Sequence, residues 1–147
     1  MQPPPEDDAP IDRLRSIMAS LRGPEGCPWD REQTLDSLKR YAVEEVYEVL
    51  EAIDSGDPEA HCDELGDLLL QVVFQAQLRA EEGAFTFDDV AAAISEKLIR
   101  RHPHVFGDVV ADDPETVLRN WEAIKREKKE KKRLPLAWIN CLRHSRP

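Results

Sequence analysis

Apolar residues recur three and four positions apart along almost the whole chain, and this spacing limits what the chain can fold into. Residues at these intervals share one face of an α-helix, whereas a half-buried strand requires strict alternation of apolar and polar residues. No segment of the sequence alternates in that way. The pattern therefore predicts an all-α protein, a helical bundle, and its 147 residues fit one ordinary domain.

Start and stop signals divide this pattern into five predicted helices. A first helix begins near Ile11, and residues 23–29 are predicted to form a loop because their glycines and prolines disfavour helix. Asp30 with Gln33 resembles a capping box and predicts the start of a second helix. The third helix is apolar nearly all round, which is typical of the middle of a bundle or of a subunit interface. The second helix is predicted to end at Gly56. The third helix is predicted over residues 58–82, the fourth over 86–102 and the fifth from Pro114 into the mixed-charge segment 125–133.

The two ends of the chain lack this pattern. Residues 1–10 contain four prolines and three acidic residues, which predicts a disordered leader rather than a signal peptide. Residues 11–130 are predicted to form the helical domain, and residues 131–147 a tail whose structure the sequence does not indicate. No apolar stretch is long enough to cross a bilayer, and the three scattered cysteines fit a reducing compartment. A soluble cytoplasmic protein without membrane contact is therefore expected.

The charge balance restricts the class of partner. A formal net charge of −10 repels the phosphate backbone of nucleic acids, so nucleic-acid binding is not expected. A phosphate-bearing ligand therefore requires metal ions or a local group of cations. The sequence contains a candidate for each.

Two pairs of acidic residues form the strongest candidate site. Glu45 and Glu48 lie three positions apart on the predicted second helix, and Glu64 and Asp67 lie three apart on the third. The members of each pair therefore share a helix face. The turn between the two helices lies about midway between the pairs, so antiparallel packing brings all four carboxylates together. Glu44 lies beside the first pair and is a candidate to assist it.

Four carboxylates gathered near a core require compensation, because they repel one another and lose hydration. Protonation, pairing with cations or metal binding supplies it. Carboxylate oxygens suit Mg²⁺, with Mn²⁺ as a substitute, and do not suit Zn²⁺. The alternative of ordinary solvated acids stays open, since such spacings also arise by chance among 30 acidic residues.

A basic group ends the predicted fourth helix. Lys97, Arg100 and Arg101 lie in its last turn, where cations interact favourably with the helix C-terminus. The same side chains have the chemistry of a polyphosphate clamp, with arginine forks and a lysine point charge. Trp121 is compatible with stacking on a base and with a core position, and Lys125 lies one turn further along the same helix face.

In order and spacing, these segments resemble the MazG family. The matching strings are GCPWD at residues 26–30, EEVYE at 44–48, DELGD at 63–67 and RRHPHVF at 100–106, with IDRL at 11–14 and WEAIK at 121–125. The resemblance covers residues 11–129. The two acidic motifs alone are shared with the wider group of all-α nucleoside triphosphate pyrophosphatases, and RRHPHVF makes the resemblance to MazG specific.

The resemblance implies a four-helix bundle, usually an intertwined homodimer, that hydrolyses nucleoside triphosphates to monophosphate and pyrophosphate as a housecleaning activity. The acids that hold magnesium in that family match Glu45, Glu48, Glu64 and Asp67. Residues that lie toward the substrate match Lys97, Arg101, Trp121 and Lys125. A metal-activated water attacks the α-phosphorus, so no protein nucleophile is needed. Glu45 or Glu44 is the candidate for orienting that water.

Other readings of the resemblance remain open. Many members carry two such domains in tandem, and the RRHPHVF string matches the first domain, which is catalytically silent in some of them. This single-domain form is thus expected to be a working enzyme or, alternatively, a catalytically weak nucleotide-binding or regulatory dimer. A noncatalytic interaction module and a metal phosphohydrolase that releases orthophosphate are further alternatives.

Overall fold

A computed structural model describes residues 3–5 and 8–133 of the chain, with side chains through Arg126, and every regular element within them is an α-helix. This confirms the predicted all-α fold. Among the helices so described, none is both long and apolar enough to cross a membrane. The helices are α1 (Pro10–Arg22), α2 (Pro28–Glu32), α3 (Leu35–Ser55), α4 (Pro58–Glu81), α5 (Phe87–Arg101), α6 (Pro103–Phe106) and α7 (Pro114–Arg133).

The chain divides into two compact units, Met1–Ala91 and Ala92–Pro147, with the boundary inside α5. The first unit contains α1 to α4, and the second contains α6 and α7. The predicted leader and the predicted domain limits stay predictions. Of the predicted tail, residues 131–133 continue α7, and the rest lies outside the described residues.

The segment before α3 differs from the prediction. The loop ends at Cys27, because Pro28 takes the first position of α2, where its missing N–H is not needed. The capping box predicted at Asp30 was wrong, and Thr34 caps α3 instead. The Thr34 hydroxyl accepts a hydrogen bond from the Ser37 N–H at 3.1 Å, and the Ser37 hydroxyl accepts one from the Thr34 N–H at 3.0 Å. This pair satisfies two backbone donors at the start of α3.

The other predicted helix starts are confirmed by their hydrogen bonds. Asp57 Oδ1 accepts from the Glu59 N–H at 2.9 Å at the start of α4. Asp89 Oδ2 accepts from the Thr86 N–H at 2.8 Å at the start of α5. At the start of α7, the Asp113 carboxylate accepts from the Thr116 N–H at 2.8 Å. The predicted stop before Pro103 is also confirmed, although the short α6 that follows it was not predicted.

The α3–α4 hairpin determines which residues of α3 and α4 lie beside each other. Gly56, with φ of 72°, occupies the left-handed region after α3 and allows the chain to reverse within two residues. Positions equally far from Gly56 therefore lie at the same level along the hairpin. Glu48 and Glu64 are each eight residues from Gly56, and Glu45 and Asp67 are each eleven residues from it. Further from the turn, Leu38 and Phe74 are each eighteen residues away and belong to one core cluster.

The core of the first unit lies at the end of the hairpin that is far from Gly56. α1 packs there against α4, and the side chains in this core are apolar and almost completely buried. The buried cluster consists of Met18, Leu38, Val73, Phe74 and Leu78. The core therefore anchors both helices of the hairpin and leaves the acid-bearing half nearer the turn free to open to solvent.

Gly26 lets the loop before α2 close tightly against α1. A Cβ at this position would lie 2.1 Å from the Leu21 carbonyl oxygen. That oxygen accepts a hydrogen bond from the Cys27 N–H at 2.8 Å. Only glycine allows this approach, which positions the start of α2.

The Arg22 guanidinium joins three parts of the first unit. Its Nε donates to Glu81 Oε1 at 2.9 Å, which ties the end of α1 to the end of α4. Its Nη1 donates to the Asp30 carbonyl oxygen at 2.6 Å and to the Gln33 carbonyl oxygen at 3.3 Å, at the end of α2. These bonds hold the end of α2, and the local Thr34–Ser37 capping box then starts α3.

Candidate functional site

The α3–α4 hairpin brings acidic side chains from both helices to one place. Carboxylate oxygens of Glu45, Glu48 and Glu64 all lie within 4.8 Å of one another. Glu45 and Glu64 are half-buried, and Glu48 is exposed. Spacing within each helix puts the acids on one face, and the hairpin register makes the two faces meet. We call these three residues the acid cluster.

The acid cluster is electrostatically unfavourable when all of its members are charged. The pKa of Glu45 is raised, first because burial removes hydration and then because of a hydrogen bond with Glu48 and the negative charges around it. The pKa of Glu64 is also raised, again first through lost hydration. The charges that raise the pKa of Glu64 further belong to Glu48, Asp67, Asp63 and Glu51. The described cations form no ion pair with the cluster, so compensation has to come from protons or a bound cation.

The chemistry of this donor set fits a divalent cation. Three carboxylates from two helices, with oxygens within 4.8 Å, offer the oxygen ligands that Mg²⁺ prefers. The partial exposure of the cluster leaves space for water or phosphate oxygens on the same ion. A cation bound here would also lower the raised pKa values of Glu45 and Glu64, because it stabilises their charged forms.

The structure places the other two predicted acids differently. Asp67 is exposed and is not part of the cluster of three, although its charge contributes to the raised pKa of both Glu45 and Glu64. Its charge is therefore close enough to act on Glu45 and Glu64. Glu44 is exposed on α3 and also lies outside the cluster. Which carboxylate orients a water molecule stays a prediction.

In the second unit, Trp121 is the centre of a group of cationic side chains. The guanidinium carbon of Arg101 lies 5.0 Å from the Trp121 ring centroid, and Lys125 Nζ lies 4.1 Å from it. Both distances are within the range of cation–π attraction. The Trp121 indole N–H is buried and has no hydrogen-bond partner among the described residues. A cavity of about 430 Å³ lies against this ring, lined by His102, Pro114, Val117, Leu118 and Trp121.

The structure thus brings together three of the five residues predicted to bind substrate. Arg101, Trp121 and Lys125 form the group just described, and the tryptophan ring is half-buried rather than fully buried in a core. Lys97 is half-buried and Arg100 is exposed on α5, and neither forms an ion pair within the described residues. Both stay available for an anion, and their placement at the end of α5 is equally consistent with a helix-stabilising role.

Sequence reasoning missed an aromatic pair near the start of α3. The rings of Trp29 and Tyr41 meet edge to face with centroids 5.7 Å apart. Arg40 donates a hydrogen bond to the Tyr41 hydroxyl at 2.9 Å and lies over the same ring. Tyr41 is one helical turn before Glu45, so this pair adjoins the acid cluster. Its only signal in the sequence is the spacing of Tyr41 and Glu45, which does not indicate that Trp29 would fold back onto α3.

Comparison with known proteins supports the resemblance read from the sequence. Residues 33–106 match the family model described as the MazG nucleotide pyrophosphohydrolase domain. The chain is 55% identical over 123 residues to the nucleoside triphosphate pyrophosphohydrolase/pyrophosphatase MazG of Thermotoga maritima, in an alignment covering 84% of this chain and 47% of that protein. It is 56% identical over 123 residues to the nucleoside triphosphate pyrophosphohydrolase of Escherichia coli K12, covering 83% and 47%.

A further relative is longer still. The chain is 58% identical over 116 residues to the uncharacterized protein YabN of Bacillus subtilis, covering 79% of this chain and 24% of YabN. The chain therefore spans about half the length, or less, of these curated relatives.

Proposed function

Because the chain belongs to the MazG nucleotide pyrophosphohydrolase family, we propose that it hydrolyses nucleoside triphosphates to nucleoside monophosphates and pyrophosphate with Mg²⁺. The observation that carries this proposal is the acid cluster, in which carboxylates from two helices lie within 4.8 Å of one another. Two similar relatives bear the name of this activity, which supports it further. The substrates are ribo- or deoxyribonucleotides, including those with modified bases, and the activity has a housecleaning role.

The acidic residues of the first unit have two tasks in this proposal. Glu45, Glu48, Glu64 and Asp67 hold Mg²⁺, or Mn²⁺ in its place. The ion supplies neutralisation of phosphate charge and activation of water. Glu45 is proposed to orient the attacking water, because it is half-buried and lies in the acid cluster. Glu44 is the alternative residue for orienting this water.

The residues predicted to bind substrate contact the nucleotide in this proposal. Lys97, Arg100 and Arg101 bind phosphate oxygens, since guanidinium forks and an ammonium group match their geometry and charge. Trp121 and Lys125 contact the remainder of the nucleotide. A base that stacks on the Trp121 face occupied by Arg101 or Lys125 has to displace that cation.

Product analysis tests this function. The protein is incubated with Mg²⁺, and separately with Mn²⁺, and a panel of ordinary and oxidised nucleoside triphosphates, and products are separated by ion-exchange chromatography. Pyrophosphate and monophosphate in equal amounts are expected, because water attacks the α-phosphorus. Orthophosphate with nucleoside diphosphate would instead indicate a phosphohydrolase. Absence of turnover by folded protein with either ion would favour the nucleotide-binding role.

We also propose that the protein forms a homodimer through the outer face of the α3–α4 hairpin. This face carries large apolar side chains that are 39–64% exposed, which is unusual for a surface that stays in water. They recur at helical spacing on both helices, as expected for a self-complementary two-fold interface. The residues are Val43, Val46, Tyr47, Leu50 and Ile53 on α3, and Leu65, Leu69 and Val72 on α4.

A lysine at the middle of this face is expected to dissociate the dimer. Leu50→Lys buries an unpaired charge in the interface, so we expect the dimer dissociation constant to rise by about 30-fold or more. Sedimentation equilibrium measures it against the 16.8 kDa mass of one chain. Val110→Lys, at an exposed apolar residue outside the face, is the control and should leave the mass unchanged. A monomeric parent at tens of micromolar, or a dimeric Leu50→Lys variant, would contradict this interface.

The remaining expectations are part of the same proposal. A cytoplasmic protein without nucleic-acid or membrane partners fits a housecleaning activity on free nucleotides. The net charge of −10 supports the absence of nucleic-acid binding, because it repels a phosphate backbone.

A further inference from the structure

His102 lies between α5 and α6 in the second unit, and one of its ring nitrogens has a fixed role. Its Nδ1 lies 2.6 Å from the Leu98 carbonyl oxygen of α5. Because a carbonyl oxygen can only accept a hydrogen bond, Nδ1 must carry a proton and donate. In the neutral imidazole the other nitrogen, Nε2, is then an acceptor.

The Nε2 atom of His102 is available to a ligand. It makes no hydrogen bond within the described residues, and it is not one of the unpartnered side-chain atoms that are sealed from solvent. His104 differs in this respect, because its Nδ1 has no partner and is sealed. His102 is therefore the histidine of this segment that can accept a hydrogen bond from an incoming molecule.

His102 lines the cavity that lies against the Trp121 ring. The cavity volume of about 430 Å³ falls within the range of about 300–1,000 Å³ that is typical of small-molecule sites. The other lining residues are Pro114, Val117, Leu118 and Trp121, and the Trp121 indole N–H is sealed from solvent. His102 thus supplies the accessible polar side-chain atom of this lining. Apolar walls with one acceptor are suited to an aromatic ring that carries a donor.

Two cations lie at the same tryptophan ring. The guanidinium carbon of Arg101 lies 5.0 Å from the ring centroid of Trp121, and Lys125 Nζ lies 4.1 Å from it. An aromatic ring bound in the cavity consequently has positive charge nearby, which a nucleotide needs for its phosphates. The cavity and these cations together match the two ends of one nucleotide.

We propose that this cavity binds the base of the nucleoside triphosphate and that His102 Nε2 accepts a hydrogen bond from an exocyclic amino group of that base. His102 then distinguishes adenine and cytosine from hypoxanthine and uracil, which carry a carbonyl oxygen in place of the amino group. That oxygen meets the Nε2 lone pair with no proton between them, so binding is weakened. The inference rests on the proposed function, because it presupposes a nucleotide ligand, and it narrows the substrates to bases that keep this amino group.

Binding of uncleavable analogues tests the proposal without reliance on turnover. The full chain is titrated with the α,β-methylene analogues of CTP, UTP, ATP and ITP in the presence of Mg²⁺, and binding is followed by isothermal titration calorimetry. The pH is about 8.5, where imidazole side chains are neutral. For each pair, the amino-bearing analogue should have a dissociation constant lower by about 10-fold or more in the parent. Hydrolysis of the natural triphosphates is measured in parallel.

Two substitutions separate base recognition from the structural role of Nδ1. His102→Asn keeps an N–H near the position of Nδ1, which can still donate to Leu98, but it has no acceptor near the position of Nε2. Its preference between CTP and UTP analogues should fall to about twofold or less. His102→Gln places an amide near the position of Nε2, and this amide can rotate to donate to a carbonyl oxygen. It should bind the UTP analogue more tightly than the parent does, by about threefold or more, which damage to the fold does not produce.

The matched control is His104→Asn, the same change two positions further at a residue that does not line the cavity. It should keep the preference of the parent within about twofold. Equal binding of both members of a pair by the parent, or a preference that survives in His102→Asn, would overturn the role of His102. If His102→Asn does not fold, unchanged affinity of His102→Gln for the UTP analogue would overturn it. Hydrolysis without base preference would overturn the role of His102 and leave the proposed function intact, whereas base preference without hydrolysis would do the reverse. A folded parent that binds no analogue would overturn both.

Discussion

Glu64→Gln is expected to lower turnover by about 100-fold or more and, at the same time, to make the metal-free protein more stable at neutral pH. The activity loss follows from removing one metal ligand, since metal stabilisation of developing charge is worth several kcal/mol and about 1.4 kcal/mol corresponds to a tenfold rate change. The stability gain follows first from the hydration that the Glu64 carboxylate loses, and then from the like charges of Glu48, Asp67, Asp63 and Glu51.

The pH dependence of this stability difference has a definite sign. The pKa of Glu64 is raised in the folded protein, first by lost hydration and then by neighbouring carboxylates. Its ionisation therefore opposes folding, fully above the folded pKa, and this penalty disappears as pH falls through that pKa toward the ordinary value of 4.5. Without metal, Glu64→Gln should melt higher than the parent at pH 7 to 8, and the two should converge below pH about 4.

Mg²⁺ should reverse the order of stabilities. A cation that binds only the folded protein stabilises it, and the parent gains more because its ligand set is intact. Thermal melting is measured from pH 4 to 8, with no Mg²⁺ and with Mg²⁺ at about 10-fold molar excess over the protein. Turnover of the same variants is measured in parallel. Asp54→Asn, at an exposed acid of α3 outside the acid cluster, is the control and should behave as the parent does. Equal stabilisation of parent and Glu64→Gln by Mg²⁺, with turnover retained, would show that the acid cluster is a solvated surface.

Arg22→Met is expected to reduce the free energy of unfolding by about 2 to 3 kcal/mol. The Arg22 side chain is 11% exposed and bonds both Glu81 and the carbonyl groups at the end of α2. Methionine keeps part of the apolar stem but leaves these acceptors without a donor. The expected loss stays below that of a fully buried pair because the Glu81 side chain is 35% exposed, so solvent screens it. Urea unfolding followed by circular dichroism measures the change.

Glu81→Gln separates the ionic part of this contact through its pH dependence. The pKa of Glu81 is lowered, chiefly by the hydrogen bond from Arg22. The carboxylate therefore contributes stability above its unfolded pKa, and this contribution is lost as pH falls through the folded pKa. Glu81→Gln should be less stable than the parent at pH 7 and indistinguishable from it in acid.

Glu82→Gln is the matched control for this contact. Glu82 pairs with Arg79 on the surface at 2.6 Å, with both side chains more than 40% exposed. Its loss should change stability by less than about 0.5 kcal/mol at any pH. If Glu81→Gln and Glu82→Gln lowered the free energy of unfolding by the same small amount at pH 7, the Arg22 contact would not hold the helices together.

Much of the fold was predictable because helix ends are local. Asp57-Pro58, Thr86 with Asp89 and Asp113-Pro114 are signals that act within one turn, and each one starts a helix where it was predicted. The prediction at Asp30 was wrong because Thr34 and Ser37, which are three residues apart, form the capping box that starts α3. Arg22, from a helix that ends eight residues earlier, binds the carbonyl groups of this segment and stops α2. Local spacing does not contain that contact.

By itself, the sequence determined the long helices, the pairing of acids within each helix and the family, since all of these depend on residues a few positions apart. Only the tertiary structure decided which side chains meet. It brought Glu45, Glu48 and Glu64 within 4.8 Å, left Asp67 at the margin and placed Arg101 and Lys125 against Trp121. It also buried Gln71, which nothing in its local sequence distinguishes from Gln75. The reason is that burial and convergence depend on the register between helices, which packing of the distant core sets.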